Sequence, residues 1–411
     1  MAVYFLFLCL TAVFGAPNPK QVQEVELRMP QVQPQEPDTY LCKAMEVKDA
    51  HTYLTGFVPH ADAMIAHHIL LYGCSVPGGD VDEVWNCGEM NSHSTKYRSG
   101  SVCAEGSNII YAWAMDAPKL NLPEDVSFDV GQDTPIKYLV VQVHYKNVDP
   151  FLPPSNQQDS SGLTLLSSSV PTSRKAGVYL MVTDGEIPSH SIEYFEVACR
   201  MPENPNLEIF PFAFRTHAHT LGRVISGYRI RDTIWTEIGR QDPRLPEMFY
   251  NATTPGLNIV KGDILAARCT MENTLERSVS IGSTQNDEMC NFYMMYYVER
   301  SKLLEVNTCF SQGPPTWYWK DFEGLNLENL PKTVSVIPGT EKPLLRNATY
   351  PNVARETNGR FEDINDLDPS VRDIQPDELL SLVRQLEEED QPELLNTWRR
   401  EELAPEYLNE V

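Results

Sequence analysis

Positive charge is scarce in this chain. Its 411 residues carry 33 Lys and Arg against 57 Asp and Glu, a formal charge of -24, and no stretch gathers basic side chains into a patch. A surface of that sign repels phosphate backbones and anionic lipid, which argues against nucleic acid as a partner. Long apolar runs are also missing, apart from Ala2–Ala16. That run is too short to span a bilayer comfortably and is closed by Pro17 and Pro19. It is expected to be a signal peptide, with the small residues Val13 and Gly15 suiting cleavage after Gly15. No later segment is apolar enough for a membrane span. Helical periodicity is absent between residues 40 and 310, no internal repeat is visible, and no HExxH motif pairs a base with zinc ligands, which disfavours a zinc hydrolase.

What is there reads as a globular, oxidised chain. A hydrophobic content of 42% with 22% charged residues over this length suffices for two domains with sizeable cores. Of nine cysteines, Cys9 lies in the expected signal, leaving Cys42, Cys74, Cys87, Cys103, Cys199, Cys269, Cys290 and Cys309. An even set in a secreted chain is a disulfide framework, and the residues alone leave the pairing open. The eight fall into two groups, four before residue 104 and four after residue 198, as two separately stapled domains require. Asn251 and Asn347 each begin an Asn-Ala-Thr glycosylation acceptor, which fits the secretory pathway, either secretion or a granule lumen.

Short runs rich in Val, Ile, Tyr, Phe and Thr predict strands at 63–71, 108–115, 137–145, 178–182, 191–198, 207–215, 263–270 and 292–298, and a hairpin over 227–239 turning at Arg231-Asp232. Without helices between strands, antiparallel sandwiches are expected rather than a parallel sheet. The Pro/Ser/Gln/Asp-rich stretch 149–162 reads as a loop near a domain boundary. The expected class is all-β: two tandem antiparallel β-sandwich domains and a largely disordered acidic tail. The expected layout is a signal at 1–15, an N-terminal extension at 16–37, a first domain at 38–170, a second at 171–318, and a linker and tail at 319–411. Phe361–Val411 holds sixteen acidic and four basic residues, half of the chain's net charge, with one apolar helical face at Leu379, Leu380, Val383 and Leu386.

The histidines are unevenly placed. His67-His68, His144 and His217-Ala-His219 all fall in predicted strands. Residues two apart on a strand share a face, so His217 and His219 can converge on one ion. The same period puts Gln142 and His144 on one face, opposite Leu139, Val141 and Val143. Adjacent His67 and His68 point to opposite faces of an ideal strand, so shared ligation needs a local distortion. A lone strand histidine is more often a hydrogen-bonded structural residue than a ligand, which is why the sets matter more than the members. Met289, on base rates a core side chain, follows two acidic residues and precedes a half-cystine, a context that predicts an exposed, pinned turn. A thioether with imidazoles suits Cu(I) better than zinc or magnesium.

The stretches His67–Cys74 (HHILLYGC), Tyr111–Ala114 (YAWA), Val141–Tyr145 (VQVHY), Phe214–Gly222 (FRTHAHTLG), Ile238–Gln241 (IGRQ), Gly262–Cys269 (GDILAARC) and Asp287–Tyr297 (DEMCNFYMMYY), in this order and spacing, resemble the type II, ascorbate-dependent copper monooxygenases. The likeness runs over roughly residues 38 to 315 and is closest to the peptide-hydroxylating branch. It implies two jelly-roll-like domains facing a solvent-filled cleft, with one copper held by His67, His68 and His144 and a second by His217, His219 and Met289. It also implies the disulfides Cys42–Cys87, Cys74–Cys103, Cys199–Cys309 and Cys269–Cys290. Departures are Ile69, Tyr72 and Ala218 near the ligands, Phe210 in place of a further histidine, and a longer interval between Cys87 and Cys103.

The implied activity is hydroxylation of the α-carbon of a C-terminal glycine in glycine-extended peptides, the first step of C-terminal amidation, with ascorbate as reductant and O2 as co-substrate. Arg215, two residues before His217, shares its strand face and has the planar fork that grips a carboxylate. Asn291 and Tyr293 follow Met289 at the same parity and complete the expected substrate set. Gln142 is a further candidate, for an electron path between the two sites. Residues 316–411 are too few and too acidic to supply the lyase that splits hydroxyglycine, so a monofunctional hydroxylase and a separate lyase are expected. The competing readings are the catecholamine-hydroxylating branch, which Arg215, Asn291 and Tyr293 disfavour, and a secreted β-sandwich that binds copper or a ligand without turnover.

Overall fold

Strands account for nearly all regular structure in the computed structural model, which describes residues 22–88, 96–282 and 286–346. The expected signal peptide, the Asn347 acceptor and the acidic tail lie outside the described residues. Among the described residues no helix is long and apolar enough to cross a membrane.

In the first domain a five-stranded sheet runs in the order Val84–Asn86, Thr39–Glu46, Tyr138–Tyr145, His68–Cys74, Asn108–Ala114, with antiparallel neighbours throughout. The facing layer is built from Gln23–Arg28, Gly162–Ser168, Thr52–His60 and Val126–Val130. Val126–Val130 also pairs in parallel with Arg174–Thr183, which carries this layer into the second domain. There it continues through Asn291–Val298 and Glu208–His217. The other layer of the second domain runs Ser191–Arg200, Ile264–Asn273, Gly222–Arg231, Ile234–Gln241. The all-β, two-domain expectation is what the molecule has.

The strand period explains how the two domains share this layer. Along Arg174–Thr183, Val178, Leu180 and Val182 pack into the core of the first domain, while Tyr179 and Met181 pack into that of the second. Asn291–Val298 divides in the same way. Phe292, Met294, Tyr296 and Val298 fill the second sandwich, and Tyr293 and Met295 join the first core. Alternate residues of one strand face opposite sides of its sheet, so these strands are apolar on both. The odd-numbered face of the Asn291–Val298 strand is therefore the face of the second domain that looks at the first.

All eight cysteines outside the expected signal are joined as Cys42–Cys87, Cys74–Cys103, Cys199–Cys309 and Cys269–Cys290. Several local expectations need correction. The hairpin turns at Asp232-Thr233, both in the left-handed region that such tight turns require, one residue later than Arg231-Asp232. Sheet structure begins at Gln23, within the stretch read as an extension, because that strand finds its whole partner in Gly162–Ser168. The chain after 318 is not a loose linker as far as residue 346. Trp319 is fully buried in a third apolar cluster with Tyr228, Ile230, Ile264 and Val334, and its backbone N–H donates to Glu196 Oε2 at 2.7 Å.

Candidate metal centre

In the first domain, His144 sits on the central Tyr138–Tyr145 strand, directly opposite Tyr40 on one side and His68 on the other. Residues opposite one another on neighbouring strands bring their side chains together. The His144 ring stacks on Tyr40 at 4.0 Å, and the His68 ring centroid lies 4.8 Å from it. His67 precedes the strand at a bend, and its N–H donates to the His144 carbonyl at 2.8 Å. This bend is the distortion that shared ligation needs. It returns the His67 ring to the same side, with the Nδ1 atoms of His67 and His144 3.2 Å apart.

One nitrogen from each of the three rings lies within 4.8 Å of the others. Two nitrogens bonded to one ion at about 2.0 Å in tetrahedral geometry stand about 3.3 Å apart, close to the His67–His144 spacing. Both ring nitrogens of His68 are buried without a hydrogen-bond partner, a state that folded proteins avoid unless another group satisfies it. The far nitrogen of His144, Nε2, meets Asp38 Oδ1 at 3.1 Å. A carboxylate on the second ring nitrogen is how metal-binding imidazoles are usually oriented. Burial first, then the neighbouring His144, drives the His67 pKa down to about 3. Burial likewise lowers His68 far below the ordinary value and lowers His144. Neutral imidazoles are the form that binds metal.

In the second domain, Arg215 and His217 lie opposite Tyr293 and Asn291 respectively. All four are buried and share the face turned toward the first domain. The Arg215 guanidinium stands over the Tyr293 ring at 5.0 Å, and Asn291 Nδ2 approaches Met289 Sδ at 3.7 Å. The strand ends at His217, so His219 lies beyond it rather than on the strand. What returns its ring to within 5.5 Å of His217 is Glu288, whose Oε2 accepts the His219 N–H at 2.9 Å, together with Asp287, whose carbonyl meets His219 Nδ1 at 2.9 Å. Burial lowers the His219 pKa to about 4. His217 Nδ1 is engaged by Glu247 Oε2 at 2.7 Å. Each of these two rings thus has Nδ1 occupied and presents Nε2. The turn before Met289 is not exposed as its acidic sequence predicts: Glu288 is fully buried and Met289 is 6% exposed, because the Glu288 carboxylate is consumed by backbone N–H groups.

The two clusters do not stand apart. The rings of His68 and His217 have centroids 6.3 Å from one another, so the facing sheets bring both clusters to one interface rather than across an open cleft. Gln142 is fully buried beside a disulfide, with Nε2 3.6 Å from Cys87 Sγ, and not on an open polar surface. Three site residues carry no periodic sequence signal: Asp38, Glu247 and Glu288. Asp38 and Glu247 are non-strand residues brought in by long-range packing. Glu247 precedes Phe249, which is buried in the core of the first domain beside Tyr111. Its carboxylate is buried, which favours the neutral form, but the His217 ring and the Arg215 guanidinium hold its pKa below the usual range.

A two-domain β protein with a buried three-histidine cluster in one sandwich has the makings of a metalloprotein, and imidazole donors suit copper among other transition metals. Residues 25–151 match the model of the N-terminal domain of the copper type II ascorbate-dependent monooxygenases, and residues 174–322 match that of the C-terminal domain. The chain belongs to this family, and its cofactors are copper and ascorbate. It is 39% identical to peptidyl-glycine alpha-amidating monooxygenase A of Xenopus laevis over 76% of this chain and 31% of that protein. Identity to peptidylglycine alpha-amidating monooxygenase of Rattus norvegicus is 39%, over 72% of this chain and 29% of the relative. Dopamine beta-hydroxylase of Bos taurus is 24% identical over 76% of this chain and 52% of its own length. The chain thus spans about a third of the amidating relatives it matches.

Proposed function

We propose that this copper monooxygenase hydroxylates the α-carbon of a C-terminal glycine in glycine-extended peptides, with His67, His68 and His144 holding one copper and His217, His219 and Met289 the other. The observation that carries the substrate assignment is Arg215. It is a buried guanidinium on the face of His217, with Nε and Nη1 making no hydrogen bond. Each of these N–H groups can give a charge-assisted hydrogen bond to a carboxylate. The higher identity to the amidating relatives than to dopamine beta-hydroxylase supports the same branch.

Copper held by these residues would supply the redox chemistry, with ascorbate as reductant and dioxygen as co-substrate. The protein's residues supply binding and geometry. Arg215 grips the peptide carboxylate, Tyr293 backs the guanidinium, and Asn291, with Oδ1 buried and unbonded, offers an acceptor beside Met289. Asp38 and Glu247 orient the rings of His144 and His217. Burial of this face excludes water from the reacting carbon. Gln142, buried beside Cys87, is retained as the candidate for an electron path between the two sites.

We place the domain boundary between Ser168 and Arg174, where one strand ends and the next begins. Four disulfides and the exposed acceptor Asn251 support residence in the secretory pathway. The test is mass spectrometry of a glycine-extended peptide after incubation with the copper-loaded protein, ascorbate and oxygen. Gain of one oxygen atom is expected. An unchanged peptide at full copper loading would contradict the proposal.

A further inference from the structure

Arg215 is not a free clamp. Its Nη2 is already paired with Glu247, and the same Glu247 oxygen engages His217 Nδ1 at 2.7 Å. Both partners are buried, Arg215 at 2% and Glu247 at 6% exposure, so little water screens the pair. A guanidinium left alone in such a place would be an uncompensated buried charge, which is strongly destabilising. Glu247 offsets that charge and takes up Nη2, which both forks of the guanidinium share, while Nε and Nη1 are each left able to give a hydrogen bond to an arriving carboxylate.

This arrangement has a consequence for a reaction that alters the α-carbon and leaves the carboxylate intact. An unopposed arginine would hold product as firmly as substrate, which is uniform binding and does nothing for turnover. Resting on the reading of Arg215 as the carboxylate anchor, we propose that Glu247 is an internal competitor for that anchor, a specificity-determining residue that weakens the grip on C-terminal carboxylates and so lets the product leave. The substrate carboxylate shares the guanidinium with a like charge a few ångström away. The loop carrying Glu247 cannot simply swing aside, because Phe249 is fixed in the core of the first domain and the Tyr250 hydroxyl donates to the Pro246 carbonyl at 2.8 Å.

The test uses the full chain, metal-free and copper-loaded, with two probes: a short peptide ending in glycine and the same peptide ending in glycinamide. Calorimetry on the metal-free parent should show tighter binding of the carboxylate form. Glu247→Gln keeps an oxygen for Arg215 and His217 and removes the charge. It should bind the carboxylate form at least about tenfold more tightly, the scale of one like charge at close range in a protein, and the glycinamide form unchanged. In the loaded enzyme KM should fall, with kcat reduced as release slows. If the parent discriminates but Glu247→Gln binds the carboxylate form no tighter, this inference fails and the anchor stands. If the parent binds both probes equally, the anchor reading fails and takes this one with it. Should Glu247→Gln not fold, Glu247→Asp, which draws the charge back from Arg215, should tighten carboxylate binding to a smaller degree, and equal or weaker binding would overturn the proposal.

Discussion

Glu288 accepts the backbone N–H of His219 at 2.9 Å, and through its other oxygen that of Leu221 at 2.7 Å. One carboxylate thereby ties the loop after the His217 strand to the residue that precedes Met289, joining two parts of the proposed second centre 69 positions apart. Glu288→Gln keeps the shape but turns an amide N–H2 toward backbone donors. It should cost about 1–3 kcal/mol of stability and lower copper occupancy at the second centre while the first stays loaded. Metal analysis showing two coppers per chain at parental affinity would contradict this.

Asp38 plays the corresponding part in the first domain, where it meets His144 Nε2 at 3.1 Å. Replacing it by Ala frees the imidazole to rotate. Loss of such a partner typically lowers metal affinity about 10- to 100-fold, and copper titration of Asp38→Ala should show this for one ion of two. Equal affinity at both centres would mean that packing on Tyr40 alone orients the ring.

Met289 is buried like a core residue, yet its sulfur lies beside Asn291 Nδ2 on the face of His217. Met289→Ile conserves volume, so a purely structural methionine should lose less than about 1.5 kcal/mol and keep its activity. The ligand assignment forecasts loss of hydroxylation with the fold intact and the histidine-only copper retained. Thermal melting and turnover measured with copper in excess separate the two, and near-parental turnover would return Met289 to the core.

Acid should weaken the metal-free protein. Burial depresses the pKa of His67 from 6.5 to about 3 and that of His219 from 6.5 to about 4. Between these limits the unfolded chain holds more protons than the folded one, so stability rises with pH in that window. It is fully present above about 6.5 and is lost as pH falls through the folded values. Glu288, whose carboxyl is raised by burial, acts in the opposite direction. Comparison with His67→Ala isolates the histidine contribution: its melting temperature should fall less steeply from pH 7 to 5 than that of the parent. Parallel curves would show that His67 does not titrate as its burial requires.

The placement of Arg215, His217, Asn291 and Tyr293 on one face was legible because all four sit on regular strands, where parity alone decides the face. The approach of His67 to His144 was legible only as a need for distortion. Its cause is a backbone bond to a carbonyl 77 residues away, which leaves no trace in local periodicity. Glu247 was missed altogether, since a coil residue set by the packing of Phe249 on another domain carries no pattern to read. The acidic Asp287-Glu288 pair misled, because charge predicts exposure unless backbone donors converge on the carboxylate. The cysteine pairing came from family likeness, not from spacing, since strands joined by Cys199–Cys309 are 110 residues apart.

Transfer of one oxygen atom to a C-terminal glycine is the activity we propose for this protein. The most direct measurement is turnover of a glycine-extended peptide under isotopically labelled dioxygen, with copper and ascorbate, followed by fragment mass spectrometry. One labelled oxygen in the C-terminal residue, with none in the glycinamide control, is the predicted result. Oxygen consumption without label in the peptide, or label elsewhere along it, would contradict the account.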